Sequence, residues 1–194
     1  MSTRIRVLFV CLGNICRSPV AEGVFVDRIR RRRLDHRFEV DSAGLGAWHA
    51  GELPDERARR VAAKNGVSLP SRARKVDDDE FARWDWIVCM DEQNRRGLEG
   101  LGAPAPRVRL LKSFSARPVG ASIEVDDPYQ EGPEAFDRMF AEIVEAVEHF
   151  IDHLVKEHAL DDAAPDRSAT AKGDAPRSAA PSAAPGAVEP QRGA

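Results

Sequence analysis

Ile5-Arg6-Val7-Leu8-Phe9-Val10-Cys11-Leu12-Gly13-Asn14-Ile15-Cys16-Arg17-Ser18-Pro19 runs from an apolar stretch, through a short loop, into a helix opening. The run Ile5 to Val10, broken only by Arg6, predicts a buried strand. Ser18-Pro19 predicts a helix beginning at Ser18, because proline suits a first turn. A cysteine leaving a strand end and an arginine in Cys-x5-Arg spacing describe an anion cradle with a nucleophile at its base. Loop N–H groups and the positive end of the helix can converge on one anion. The same field favours a thiolate at Cys11, the only competent sulfur nucleophile. Arg17 adds a planar fork of donors that matches two phosphate oxygens. Gly13 permits close backbone approach, Asn14 tolerates left-handed geometry, and the Ser18 hydroxyl can bond the sulfur. The competing reading, a structural strand-end cysteine before a capping turn, explains none of these neighbours.

Outward from this segment, extended and helical patterns alternate. Phe38 to Ser42 alternates as a short strand, and Asp55 to Asn65 reads as a helix stopped by Gly66. Trp86 to Met90 is a second buried run, followed by a short helix near Glu92 to Leu98 and a strand at Val108 to Leu111. Phe136, Met139, Phe140, Ile143, Val144, Val147, Phe150, Ile151 and Leu154 recur at three and four residues, the core stripe of a long final helix. The order predicts an α/β fold: one doubly wound domain with four parallel strands between helices. Ligands of such folds bind beyond the carboxyl ends of the strands, where the Cys11 loop begins.

Composition narrows the class. The chain has 194 residues, 42% hydrophobic and 31% charged, with net charge −3, which disfavours a nucleic-acid binder that relies on a positive surface. The run Arg28, Arg30, Arg31, Arg32, Arg33 reads as a solvated helix end or, less simply, a docking patch for an acidic partner. No stretch approaches the ~20 apolar residues that span a bilayer, so no membrane partner is expected. Three cysteines, Cys11, Cys16 and Cys89, do not make a disulfide scaffold, and no signal-peptide pattern opens the chain, so cytoplasmic residence is expected. Residues 1–160 form the expected domain. From Asp161 to Ala194 the chain is Ala, Pro, Gly, Ser and scattered charge, with Val188 its one sizeable apolar residue, which predicts a disordered tail.

Displacement at phosphorus needs a group to protonate the leaving oxygen. Asp126-Asp127-Pro128-Tyr129 precedes the final helix and offers one, with Pro128 fixing the backbone and Tyr129 available as an aromatic wall. Alone, Asp-Pro-Tyr is an ordinary turn; beside the cysteine loop it becomes the proton donor. Cys-x4-Cys lacks a second ligand pair, so no metal or cofactor is expected. His149 and His153 lie off the apolar stripe and read as solvated.

Residues 5 to about 157 resemble the low-molecular-weight protein tyrosine phosphatase family, through Val10 to Pro19 and Asp127-Pro128-Tyr129. Asp41-Ser42-Ala43-Gly44 and Cys89-Met90-Asp91-Glu92-Gln93-Asn94 support the match. The resemblance implies a flavodoxin-like sheet, phosphotyrosine-containing protein substrates and a phosphocysteine intermediate. Cys11, Arg17 and Asp127 are then the catalytic set. Leu12, Gly13, Asn14, Ile15, Cys16, Ser18, Trp48 and Tyr129 are the substrate-binding set, with Asn14, Ser18 and Ser42 holding the loop in shape. Leu12, Trp48 and Tyr129 would frame the ring slot, although Trp48 could equally be a surface aromatic. The resemblance also implies a reversible disulfide between Cys16 and the nucleophile, guarding it from over-oxidation; otherwise Cys16 is a small buried hydrophobe.

One departure is Ser71, where the family often has histidine. Arsenate reductases of the same fold need a further pair of redox cysteines, and only Cys89 is present. Phosphoarginine phosphatases of the family carry threonine where Ile15 stands, so isoleucine favours aryl phosphates. A phosphotyrosine-binding module without turnover is the alternative from another class, opposed by the presence of Cys11, Arg17 and Asp127. The pattern carries no signature of oligomeric state.

Overall fold

Four parallel strands in the order β2-β1-β3-β4 form the sheet of the computed structural model, which describes residues 4–115 and 121–161. They are β1 (Ile5–Cys11), β2 (Phe38–Gly44), β3 (Trp86–Cys89) and β4 (Val108–Leu110), alternating with helices α1 (Arg17–Arg31), α2 (Glu56–Lys64), α3 (Glu92–Gly100) and α4 (Pro133–Glu157). Strand β1 is central and buried on both faces, which is why its sequence is almost uninterrupted hydrophobe. Its exception, Arg6, lies at the strand's beginning and ion-pairs with Asp85 at 3.0 Å.

Alternate β1 residues serve two cores. Val7, Phe9 and Cys11 pack with α1, α2 and α4; Leu8 and Val10 pack with Leu98 of α3 and with Phe81 and Trp84. The second face is closed partly by a 3-10 segment, Asp78–Arg83, that periodicity does not predict. The expected doubly wound architecture is therefore present, in a single domain. The strand order reverses at β1, so the loop after Cys11 opens at the topological switch point.

Boundaries shift slightly from the sequence expectations. Helix α1 begins at Arg17, β2 runs on to Gly44, and α3 extends to Gly100. Asp55 caps α2 by accepting the Arg57 N–H at 2.8 Å, and Gly66 follows the helix at φ +73°, as a stop requires.

Two expectations need correction. The basic run ending α1 is not simply solvated. Arg32 is 4% exposed and donates to Glu148 and Asp152 of α4, each at 2.6 Å, while Arg28 also pairs with Glu148. The reason is that α1 and α4 lie side by side on one face of the sheet. His153 faces solvent yet packs its ring 5.5 Å from that of Trp86 and 5.0 Å from that of Phe114, so it covers an aromatic cluster. The expected disordered tail lies outside the described residues, apart from Asp161.

Candidate active site

Strand β1 delivers Cys11 to the sheet's carboxyl edge, 3% exposed, with Gly44 of β2 as its register partner. Three carbonyls of the following loop are tied outward. Cys11 C=O accepts the Leu45 N–H at 3.0 Å, Leu12 C=O the Gly46 N–H at 3.0 Å, and Ile15 C=O the Asp55 N–H at 2.8 Å. In a trans peptide the N–H opposes the C=O, so the N–H groups of Leu12, Gly13 and Cys16 turn the other way. Gly44 makes this approach possible, because a Cβ there would meet Asn14 N and Gly13 C at 3.0 Å.

The left-handed residue of the loop is Asn14, at φ 57°, rather than Gly13. Its side chain is the hub beneath the loop. Nδ2 donates to Ser18 Oγ and Ser42 Oγ, both at 2.9 Å, and Oδ1 accepts the Arg74 N–H at 2.9 Å. Ser42 and Ser71 both donate to Glu22 Oε2, at 2.6 and 2.7 Å. Ser71 thus completes the network through a carboxylate. Burial pushes the Glu22 pKa up, and the two hydroxyls offset only part of that rise.

Ser18 Oγ lies 3.0 Å from Cys11 Sγ and 3.3 Å from Ala43 O. Its single proton goes to the sulfur when the sulfur is ionised. Burial pushes the Cys16 thiol pKa well up, with Asp55 adding to the effect.

Arg17 is 3% exposed at its side chain, and its fork holds two carboxylates and a carbonyl. Nη1 donates to Asp91 Oδ2 at 2.5 Å and Val125 O at 3.2 Å; Nη2 donates to Asp127 Oδ2 at 2.5 Å. Burial alone would lower its pKa, but the Cys11 sulfur and the two carboxylates outweigh burial and raise it. Asp91 is itself fixed, capping α3 by accepting the Asn94 N–H at 2.6 Å. Asp127 is 41% exposed and accepts the Tyr129 N–H at 3.1 Å.

A cleft of about 110 Å³ opens between these parts. Cys11, Leu12, Gly13, Ile15, Cys16 and Arg17 form one wall, and Trp48, Asp127 and Tyr129 the other. Trp48 lines the cleft and is 70% exposed. Asn14 and Ser18, expected among the substrate-binding residues, are instead buried behind the loop at 1% and 0% exposure. Four participants went unassigned in the sequence reading: Asp91, Glu22, Arg74 and His49, which joins the rim and pairs with Glu52 at 2.9 Å. Asp91 could have been found as an N-cap at the end of a buried strand beside β1. Glu22 was visible as a carboxylate one helical turn after Ser18.

The arrangement provides a sulfur nucleophile, an inward N–H ring, a fixed cation and an exposed carboxyl within one small cleft. Among the described residues no cluster could hold a metal ion, and no helix is long and apolar enough to cross a membrane.

Residues 6–160 match the family model described as low molecular weight phosphotyrosine protein phosphatase. A curated relative of that name from Schizosaccharomyces pombe is 39% identical over 152 residues, covering 78% of this chain and 97% of that protein. A crystal structure of a protein tyrosine phosphatase from Entamoeba histolytica, with Hepes in its active site, superposes with TM-score 0.74 at 34% identity, covering 80% of this chain and 99% of that one. A Drosophila arginine phosphatase superposes with TM-score 0.70 at 31% identity, covering 77% and 98%.

Proposed function

We propose a role for each residue of the cleft from one premise: the chain belongs to the low molecular weight phosphotyrosine protein phosphatase family. It is a protein tyrosine phosphatase, and its catalytic mechanism is that of the family. The Cys11 thiolate attacks phosphorus in line; the S–P bond forms as the aryl O–P bond breaks. Asp127 gives its proton to the departing phenolate oxygen, and Tyr129 flanks the ring. Water then attacks the phosphocysteine, Asp127 takes the proton, the S–P bond breaks and phosphate leaves. Arg17 and the N–H groups of Leu12, Gly13 and Cys16 hold the other phosphoryl oxygens, so positioning and charge stabilisation carry much of the catalysis.

The observation that carries this reading is the 2.5 Å bond from Arg17 to Asp127. It supports the reading because Asp127 and Arg17 meet in the same cleft that Cys11 lines. The test is hydrolysis of para-nitrophenyl phosphate by wild type, Cys11→Ser and Asp127→Ala. Turnover should vanish in the first variant and fall roughly 10²–10⁴-fold in the second. Phosphate binding by a wild type that does not turn over would leave the binding-module reading instead.

Phosphotyrosine-containing proteins are the substrates this reading assigns. Ile15 lines the cleft without a hydroxyl, which favours an aryl phosphate over phosphoarginine. Arsenate reduction is opposed by the placement of Cys89. It is wholly buried with Val10 on the other face of the sheet, donates to Arg109 O, and has its thiol pKa pushed up to about 12 by burial. Cys16 shares the cleft wall with Cys11, and both are free thiols. Peroxide converts the Cys11 thiolate to a sulfenic acid, which condenses with the Cys16 thiol to a disulfide and water, reversible by external thiol. Such chemistry suits a reducing compartment, the cytoplasm.

A further inference from the structure

The turn carrying Asp127 is laced to the loop after β1 through Asp55 and Arg57. Asp55 donates its N–H to the Ile15 carbonyl at 2.8 Å. Its carboxylate accepts Arg57 Nε at 3.0 Å and Nη2 at 2.9 Å. The remaining donors of that guanidinium reach the turn that follows Asp127. Nη1 bonds Glu131 O at 2.9 Å and Nη2 bonds Tyr129 O at 3.1 Å. The group also lies 4.3 Å from the ring centroid of Phe136, in the first turn of α4, and 5.9 Å from that of Tyr129. The Tyr129 N–H in turn donates to the Asp127 carboxylate at 3.1 Å. The path therefore runs Ile15, Asp55, Arg57, Tyr129, Asp127.

Only a guanidinium fits this duty. A planar fork can grip one carboxylate side-on and still present donors to two carbonyls, whereas an ammonium is a point charge. The hydrogen bonds from Arg57 hold the Asp55 carboxyl below its ordinary range against the opposing effect of burial, so the pair stays charged at neutral pH. Before Asp127, the chain is anchored by the Val125 N–H on Met90 O and by Arg17 on Val125 O. After Asp127, the hydrogen bonds to the opposite wall come from Arg57 among the described residues.

We propose that Arg57 is a positioning residue for proton donation: it fixes the turn from Asp127 to Glu131 against the phosphate loop, so the carboxyl meets the leaving oxygen. This rests on the assignment of Asp127 as the acid. A displacement of about 1 Å can cost about 10²-fold in rate, and here the loss is confined to substrates that need a proton.

The experiment measures kcat/KM, which reports the phosphorylation step, for the full chain on aryl phosphates from dinitrophenyl to unsubstituted phenyl. Wild type, Arg57→Met, Arg57→Lys, Asp127→Asn and the Arg57→Met/Asp127→Asn double variant are compared, with vanadate inhibition reporting the loop. Arg57→Met should lose roughly 10–10²-fold with phenyl phosphate and much less with the dinitrophenyl ester, at unchanged vanadate affinity. The double variant should be no slower than Asp127→Asn, and Arg57→Lys should fall between wild type and Arg57→Met. A wild-type leaving-group dependence in either Arg57 variant, an equal loss for every ester, or losses additive with Asp127→Asn would overturn the proposal. If Arg57→Met fails to fold, the Arg57→Lys profile decides alone by the same criterion. An Asp127→Asn variant with no leaving-group dependence would overturn the acid assignment rather than the lacing.

Discussion

Replacing Asn14 by alanine should cost about 3 kcal/mol of stability, most of it before any substrate is considered. Two sources add. An alanine at φ 57° carries left-handed strain of about 1–2 kcal/mol that asparagine largely escapes. Truncation also strands the part-buried Arg74 N–H, at about 1–3 kcal/mol, and frees the Ser18 and Ser42 hydroxyls to reorient. In a domain of this size about 3 kcal/mol lowers Tm by about 10 °C. Asn14→Gly separates the sources: it removes the strain but adds about 0.4–1 kcal/mol of unfolded-chain entropy. Its net gain over Asn14→Ala is therefore about 0.5–1 kcal/mol. The assay is chemical denaturation of the three proteins, with phosphate affinity measured alongside. The expected order of stability is wild type, Asn14→Gly, Asn14→Ala, and both variants should bind phosphate more weakly because the N–H ring loses its support. An Asn14→Ala protein within 0.5 kcal/mol of wild type, or one less perturbed than Asn14→Gly, would refute the hub as described.

Glu22→Gln tests the buried carboxylate under that hub. Because its pKa is raised in the folded state, wild-type stability falls as pH climbs from the ordinary carboxylate value through the raised one; denaturation midpoints for Glu22→Gln across that window should lack the fall. Arg32→Ala should cost about 2 kcal/mol by breaking its bonds to Glu148 and Asp152, whereas exposed Arg30→Ala should stay within about 0.5 kcal/mol, as denaturant titrations would show. Cys16→Ser should keep turnover of para-nitrophenyl phosphate but lose the recovery by dithiothreitol that follows treatment with excess peroxide, because the untrapped sulfenic acid is then oxidised by further peroxide to the irreversible sulfinic acid.

The fold was legible where one physical pattern dominated. The apolar run of β1, the stripe of α4 and the cap and stop around α2 each leave a local signature, and the order of elements leaves few topologies. Cys11, Arg17 and Asp127, to which the roles are proposed, were legible because each sits in a short local motif. Contacts between remote segments were not. Arg32 looks like any other arginine in its run until α4 lies beside it. His49 enters the cleft only because the chain after β2 curls over Gly13, whose Cβ position would lie 3.3 Å from the His49 ring. Asn14 and Ser18 belong to the loop motif, yet which side of the loop they face depends on the outward carbonyl bonds to Leu45, Gly46 and Asp55. Those bonds join residues far apart in sequence.

The two carboxylates on Arg17 have unequal standing, and the inequality decides which of them an entering phosphoryl group displaces. Asp91 is bound at one oxygen to the helix it caps, while its other oxygen holds Nη1, so its grip is part of the fold. Asp127 is twice as exposed at 41% against 20%, and among the described residues its second oxygen has only a local turn N–H as partner. A phosphoryl group entering the cleft competes for the same fork, and it can displace Asp127 far more cheaply than Asp91. Displacement frees the more exposed carboxyl to turn toward the leaving oxygen. Binding of a phosphoryl group would thus release Asp127 from Arg17, while Asp91 and Val125 keep the fork aimed. The same logic makes Asp91→Asn a different lesion from Asp127→Asn: it loosens the grip on phosphate for every leaving group alike.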